Sequence, residues 1–299
     1  MKPTTLAAID IGSNGARLLI KRFDDNAPEF ERIRKLMFIR VPLRLGKDVF
    51  TLGKISKRRA EMMLHMMKGF KQFMLLYDVK AFRACATSAM RDAENGKKVM
   101  ERIKEKTGIG LEIIPGAAEA QLLCNNLVEN TESGVGNFAY VDVGGGSTEI
   151  SLLHDGILAE SHSFNIGTLR LLSGNGKAEE WADMKAMLEK YANEFPGTRV
   201  IGSGGNINKL FKLAKVKNGN LRLKVEQLRA LYDQLAQLSI EERKARFNLK
   251  DDRADVIVPA GEIFLKVAEH LKCDEIIVPN ISLADSIVDG LYRDIKAKE

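Results

Sequence analysis

Two short segments carry residues that could hold a phosphate group. Ala8-Ile9-Asp10-Ile11 runs into Gly12-Ser13-Asn14-Gly15, and 132 residues later Tyr140-Val141-Asp142-Val143 runs into Gly144-Gly145-Gly146-Ser147. Glycines let backbone N–H groups approach phosphate oxygens with no Cβ in the way, and consecutive N–H groups form an anion-binding nest. Ser13, Ser147 and Thr148 can add hydroxyl hydrogen bonds, while Asn14 and Gly15 complete the first turn. An Asp at the end of each first strand, Asp10 and Asp142, can hold Mg2+ directly or through its waters. A third segment, Val200-Ile201-Gly202-Ser203-Gly204-Gly205-Asn206, reads as strand, glycine turn and helix start, with N–H groups again aimed at an anion. It lacks the third glycine of GxGxxG, and no GxxxxGK[ST] occurs, so neither a dinucleotide fold nor a P-loop is indicated.

The loops need strands and helices to place them. Thr5 to Ile11 and Ala16 to Phe23 read as strands, Pro28 to Val41 as a third, and Lys80 to Ala86 and Leu111 to Ile114 as two more. Met63, Met66, Met67, Phe70, Met74 and Tyr77 recur at helical spacing and read as core. Helices are also expected over Asn95 to Lys106 and from Gly116. The polar, glycine-rich stretch Thr131 to Asn137 is the expected joint, giving domains 1–130 and 131–299, with the last helix packing back on the first. Beyond it the pattern restarts with strands at Phe138 to Asp142, Glu149 to Leu153 and Gly156 to Phe164. Helices at Ala182 to Phe195, Asn206 to Ala214, Val225 to Leu238 and Val256 to Leu271 follow, then a strand at Ile276 to Pro279. Ser282 and Asp285 are placed to open the terminal helix as a capping box. Alternating strands and helices indicate an α/β fold, and the 132-residue repeat indicates two related lobes with a cleft between them.

Composition sets the outer bounds. At 299 residues with 45% hydrophobic and 29% charged content, the chain suits two globular domains. No apolar run approaches the roughly 20 residues of a membrane span. Cys85, Cys124 and Cys273 are scattered, and so are the four histidines. Reduced thiols in a cytoplasmic protein are expected, with no zinc site. The net charge of +6 is concentrated in two stripes, Arg32 to Lys47 and Lys209 to Arg229, which attract polyanions, whether nucleic acid, polyphosphate or nucleotide; no specific nucleic-acid partner is expected.

The ordered set DIGSNGAR (Asp10 to Arg17), ATSAMR (Ala86 to Arg91), GAAEA (Gly116 to Ala120), DVGGGSTE (Asp142 to Glu149), IGTLR (Ile166 to Arg170) and GSGGNINKL (Gly202 to Leu210) resembles the Ppx/GppA family of exopolyphosphatases and guanosine pentaphosphatases. The resemblance implies two ribonuclease-H-like domains of the actin and sugar-kinase superfamily, and Mg2+-dependent removal of terminal phosphate. It implies that Glu119 is the catalytic carboxylate, with Arg91 a catalytic and phosphate-binding residue. Gly144, Gly145, Gly146 and Ser147 then form the second phosphate loop, and Gly204 and Gly205 belong to the third. Glu149 joins Asp10 and Asp142 as a metal-facing carboxylate. Gly15, Ala118, Asn206 and Val288 depart from residues common in the family. The chain is expected to be of the short form, without the C-terminal helical domain of long members, and to form a homodimer. Inorganic polyphosphate is the expected substrate; pppGpp hydrolysis and non-catalytic binding of either compound are the alternatives.

Overall fold

In the computed structural model the described residues are 3–122, 135–216, 221–279 and 281–298. Contacts divide the chain into two units, Met1–Pro115 with Leu283–Glu299, and Gly116–Ser282. The expected boundary after residue 130 falls outside the described residues.

The first unit is built on β1 (Thr4–Ile11), β2 (Ala16–Phe23), β3 (Ile33–Val41), β4 (Ala81–Ala86) and β5 (Glu112–Ile113), in the order β3-β2-β1-β4-β5. β1 pairs antiparallel with β2 and parallel with β4, so a meander feeds into crossover strands. Central β1 buries Leu6, Ala7, Ala8, Ile9 and Ile11 from both faces, as a helix-covered strand must. Its helices are α1 (Leu45–Leu52), α2 (Lys57–Leu76), α3 (Ser88–Asp92), α4 (Gly96–Thr107) and α13 (Leu283–Lys296). The methionine stripe of α2 is core: Met63, Met66, Met67, Phe70 and Met74 are buried. Ser56 caps this helix by accepting from the Arg59 N–H.

One local reading changes. The expected strand from Pro28 starts only at Ile33, because proline has no N–H for a ladder and its fixed φ opens a 3-10 turn over Glu29–Glu31. Asp285, in the first turn of α13, sends its carboxylate to Lys21 at 3.2 Å and Lys35 at 2.7 Å. Asp289 also bonds Lys21, at 2.8 Å. Lys21 is buried, and a buried ammonium demands such partners, so α13 is fastened to β2 and β3 through charge as well as packing. Val288, on the same helix, is fully buried and serves the core.

The second unit repeats the plan. It contains α5 (described over 116–122), β6 (Asn137–Val143), β7 (Thr148–His154), β8 (Ile157–Phe164), α6 (Thr168–Leu172), α7 (Ala178–Glu194), β9 (Arg199–Ser203), α8 (Gly204–Leu213), β10 (Arg222–Lys224), α9 (Val225–Ala236), α10 (Ile240–Phe247), α11 (Asp251–Ala254), α12 (Ile257–His270) and β11 (Glu275–Ile277). Its sheet order, β10-β11-β9-β6-β7-β8, matches the first with β6, β7, β8, β9 and β11 in place of β1, β2, β3, β4 and β5. β10 is an added antiparallel edge. α12 lies at the centre of the core, with Ile257, Ala260, Ile263, Phe264, Val267 and Ala268 buried. Burying each of its large side chains contributes about 1.5–3 kcal/mol.

Candidate functional site

Each unit presents a strand, a glycine turn and a strand, and each turn is held in the same way. In the first unit the Gly12 N–H donates to the Gly15 carbonyl at 3.0 Å. The Ser13 carbonyl accepts from Gly46 at 2.9 Å and the Asn14 carbonyl from Arg44 at 3.0 Å, both from the segment that opens α1. In the second unit the Gly144 N–H donates to the Ser147 carbonyl at 2.9 Å. The Gly144 carbonyl accepts from Thr168, and the Gly145 carbonyl from Leu169 and Arg170. The Gly146 carbonyl accepts from Arg170 Nε at 2.7 Å. A trans peptide points its C=O and N–H in opposite directions. With their carbonyls drawn to α1 and α6, the N–H groups of Asn14 and Gly15, and of Gly145, Gly146 and Ser147, turn the other way. That is the geometry of an anion nest.

The fit at these turns explains several residue types. A Cβ on Gly167 would lie 2.3–2.5 Å from the Gly146 and Ser147 backbone, so only glycine lets α6 close on the loop. A Cβ at Gly15 would meet the Val41 carbonyl at 3.1 Å and the Arg40 guanidinium at 3.3 Å, so any side chain here would press on its neighbours. The first basic stripe therefore reaches its loop, through Arg40 and Arg44. Members of the second stripe lie elsewhere: Arg222 and Lys224 sit on edge strand β10 and pair with Glu275 and Glu226.

The strand-end carboxylates differ between the units. Asp10 faces Arg17 across β1 and β2 and forms an ion pair with it at 2.5 Å. Asp142 faces Glu149 across β6 and β7. Register extends this row to Ser203 on β9 and Ser163 on β8, and the Ser163 hydroxyl donates to Glu149 Oε1 at 2.8 Å. Two carboxylates directly opposed repel unless a cation lies near them. Among the described residues no three His, Cys, Asp or Glu gather as a ready-made ligand set. Mg2+ does not require one, since it keeps waters and uses one or two carboxylates with substrate oxygens. Asp142 and Glu149 fit that pattern. Asp10 is paired with Arg17.

Hydroxyl groups are partly committed. Thr148 Oγ1, expected to face phosphate, donates to the Ile166 carbonyl at 2.5 Å, and the residue is fully buried. Ser13 Oγ lies 2.8 Å from Ser88 Oγ, tying the first loop to α3. Ser147 is buried at its loop.

Glu119 lies on α5 and is buried. The start of that helix rests on β8, where a Cβ on Gly116 would come within 2.3 Å of Ser163. Ser163 in turn holds Glu149, so α5 is anchored to the same polar row as the carboxylate pair. Arg91, on α3, donates to the Ile114 carbonyl at 3.0 Å, just past β5.

At the third loop, Gly204 adopts φ +91°, and a Cβ there would lie 2.3 Å from Asp142 Oδ1. Glycine thus makes room for the carboxylate. Arg253 fills the space beside Gly205, where a Cβ would meet its guanidinium at 2.4 Å. Arg253 also donates to Asn206 Oδ1 at 2.6 Å, and Asn206 Nδ2 donates to the Val143 carbonyl at 2.9 Å. Sequence reasoning missed Arg253. Its only signal is a basic residue among acids just before a strongly apolar helix.

Comparison with known proteins follows this geometry. A family model described as the Ppx/GppA phosphatase family matches residues 26–293. Over nearly the whole of both chains, this one superposes on an exopolyphosphatase from Cytophaga hutchinsonii with a TM-score of 0.85 at 25% identity, covering 98% of each. The Aquifex aeolicus Ppx/GppA family member gives 0.76 at 27% identity, covering 98% of this chain and 99% of that one. Exopolyphosphatase 1 of Mycobacterium tuberculosis is 30% identical over 146 residues, 49% of this chain and 41% of that protein. Guanosine-5'-triphosphate,3'-diphosphate pyrophosphatase of Aeromonas salmonicida is 24% identical over 95% of this chain and 59% of its own length. The chain thus spans about half the length of these two curated relatives.

Proposed function

The chain belongs to the Ppx/GppA phosphatase family, and on that premise we propose that it is an exopolyphosphatase, releasing terminal phosphate from inorganic polyphosphate with the help of Mg2+. The observation that carries this reading is the pair of matched anion nests, one in each unit, with an opposed carboxylate pair beside the second. Polyphosphate repeats the one group that both nests suit, and neither nest needs a base pocket to engage it. Bound at Asp142 and Glu149, Mg2+ would supply charge neutralisation on the phosphate chain.

The chain's own residues then divide the work. In the second unit the N–H groups of Gly145, Gly146 and Ser147 fix phosphate oxygens, and in the first the Asn14–Gly15 nest and Arg91 offer positive groups to a phosphate chain. Glu119 accepts a hydrogen bond from the attacking water and takes its proton. The water oxygen forms a bond to the terminal phosphorus as the bond from that phosphorus to its bridging oxygen breaks, and the shortened chain leaves. General-base help of this kind is worth roughly 10²–10⁴ in rate.

The test is phosphate release from polyphosphates of several lengths, pppGpp and ATP, by the parent protein and Glu119→Gln. The variant should bind polyphosphate normally and lose about 10²-fold or more in turnover. Near-parent turnover by it would remove Glu119 from the mechanism. A preference for pppGpp that persists at high salt would replace the polyphosphate reading with the guanosine one, because charge-only recognition weakens as salt rises.

A further inference from the structure

A cavity of about 420 Å³ opens on the helical side of the first unit, away from every loop residue described above. It lies between α2 and α4, which run side by side in the same direction. Asn95 at the head of α4 bonds Ile55 just ahead of α2, and Arg102 bonds Glu61 further along. The floor is apolar, made by Ile55, Leu64, Val99 and Ile103, all buried residues whose edges face the space. The rim is cationic. Lys54, Lys57 and Lys98 line the opening with Arg102, whose charge is met by Glu61, and no acidic side chain is among the lining residues.

Three features make this opening favour an anion. The lysines are exposed and close enough together to sum their fields over one mouth. Both helices begin at that mouth, and neither has an acid in its first turn to offset its N-terminal partial charge. Asn95 would ordinarily cap α4, but its amide is spent at both ends on Ile55: Oδ1 accepts from the Ile55 N–H at 2.9 Å and Nδ2 donates to the Ile55 carbonyl at 2.8 Å. That pair of hydrogen bonds also ties the two helix starts together at the mouth. Apolar floors with a few convergent polar groups at this volume are typical of small-molecule pockets.

We propose that the cavity between α2 and α4 binds a small amphipathic anion, a carboxylate or phosphate ester carrying an apolar chain or ring. The apolar body lies on Ile55, Leu64, Val99 and Ile103, and the charged head sits among Lys54, Lys57 and Lys98. Both parts are needed, because the floor gives an inorganic ion nothing and the rim gives a neutral chain nothing.

Octanoate is the probe, titrated into the full chain and followed by saturation-transfer NMR at low salt. 1-Octanol supplies the chain without the charge, and inorganic phosphate the charge without the chain. Octanoate should bind about tenfold more tightly than 1-octanol and should weaken as salt is raised. Lys54→Glu with Lys98→Glu should weaken octanoate about tenfold and leave 1-octanol unchanged. These lysines are exposed, so the variant is expected to fold, and its phosphate release should match the parent. Ala60→Phe, which intrudes on the cavity from α2, should reduce both probes, with its melting temperature reporting on folding. Equal binding of octanoate and 1-octanol, or octanoate binding untouched by the charge reversal, would overturn the proposal. So would engagement of phosphatidylglycerol vesicles without binding of free octanoate, which would make the surface a membrane contact.

Discussion

The two units share a sheet order, a glycine turn and a helix that grips the turn's carbonyls, yet they treat the same strand-end aspartate in opposite ways. In the first, the residue across the hairpin is Arg17, and Asp10 is neutralised where it stands. In the second, the residue across the hairpin is Glu149, and Asp142 faces a like charge. The anion nest comes from backbone geometry, so it survives in both copies whatever the neighbouring side chains are. Charge comes from side chains and is free to diverge. One copy pairs its aspartate with Arg17, and the other sets its aspartate opposite Glu149, where the proposed Mg2+ would bind.

The largest predicted effect tests that division directly. Asp142→Asn should reduce apparent Mg2+ affinity by at least the roughly 10–100-fold that loss of an outer-sphere partner costs, with turnover falling alongside. Asp10→Asn should leave Mg2+ dependence alone and lower stability by up to about 3 kcal/mol, because it removes the buried carboxylate from its ion pair with Arg17. Magnesium titrations of phosphate release and urea unfolding of both variants decide it. The comparison breaks if the two results are exchanged, or if a chelator leaves the parent's activity unchanged.

A smaller effect is expected one residue beyond the row, where register aligns Ala86 in the first unit with Gly204 in the second. Gly204→Ala asks an L side chain to take φ +91° and places its Cβ against Asp142. Backbone strain of that kind costs about 1–3 kcal/mol, and a displaced Asp142 should also raise the Mg2+ requirement. The reciprocal change, Ala86→Gly, should cost only the roughly 0.5–1 kcal/mol of added chain entropy and leave the metal response intact. Equal costs at the two sites would mean that the third loop is not shaped around Asp142.

Much of this contrast was already present in the chain's pattern. The repeat of Asp10 to Gly15 at Asp142 to Ser147 announced two copies of one fold, because strand, turn and strand are local and the glycines mark the turn. The core helices α2 and α12 were legible for the same reason, through their apolar spacing. The charge of the hairpin partner was harder to see. Arg17 and Glu149 each stand seven residues after their aspartate, but only antiparallel register turns that spacing into a contact. Arg253 lies further out of reach, since it meets Asn206 through chain folding across 47 residues. Pro28 misled in a different way. Its neighbours have strand propensity, but the missing N–H shifted the strand start to Ile33.

The smallest effect concerns how each loop is tied to the element behind it, again at matched positions, Ser88 and Asn206. In the second unit the tie is Asn206 Nδ2 to the Val143 carbonyl, braced by Arg253. In the first it is a single contact between two buried hydroxyls, Ser13 and Ser88. Ser88→Ala removes one of them and leaves Ser13 a buried polar group with one partner fewer, at a cost of about 1 kcal/mol. Ser13→Ala should cost a similar amount. The double variant should cost less than the sum, since each single change already breaks the shared bond. Kinetics separates the two serines further. If Ser13 also donates to phosphate, Ser13→Ala raises KM, while Ser88→Ala leaves KM unchanged or lowers it by releasing that hydroxyl. Identical KM values for the two single variants would show that the pair only joins the first loop to α3.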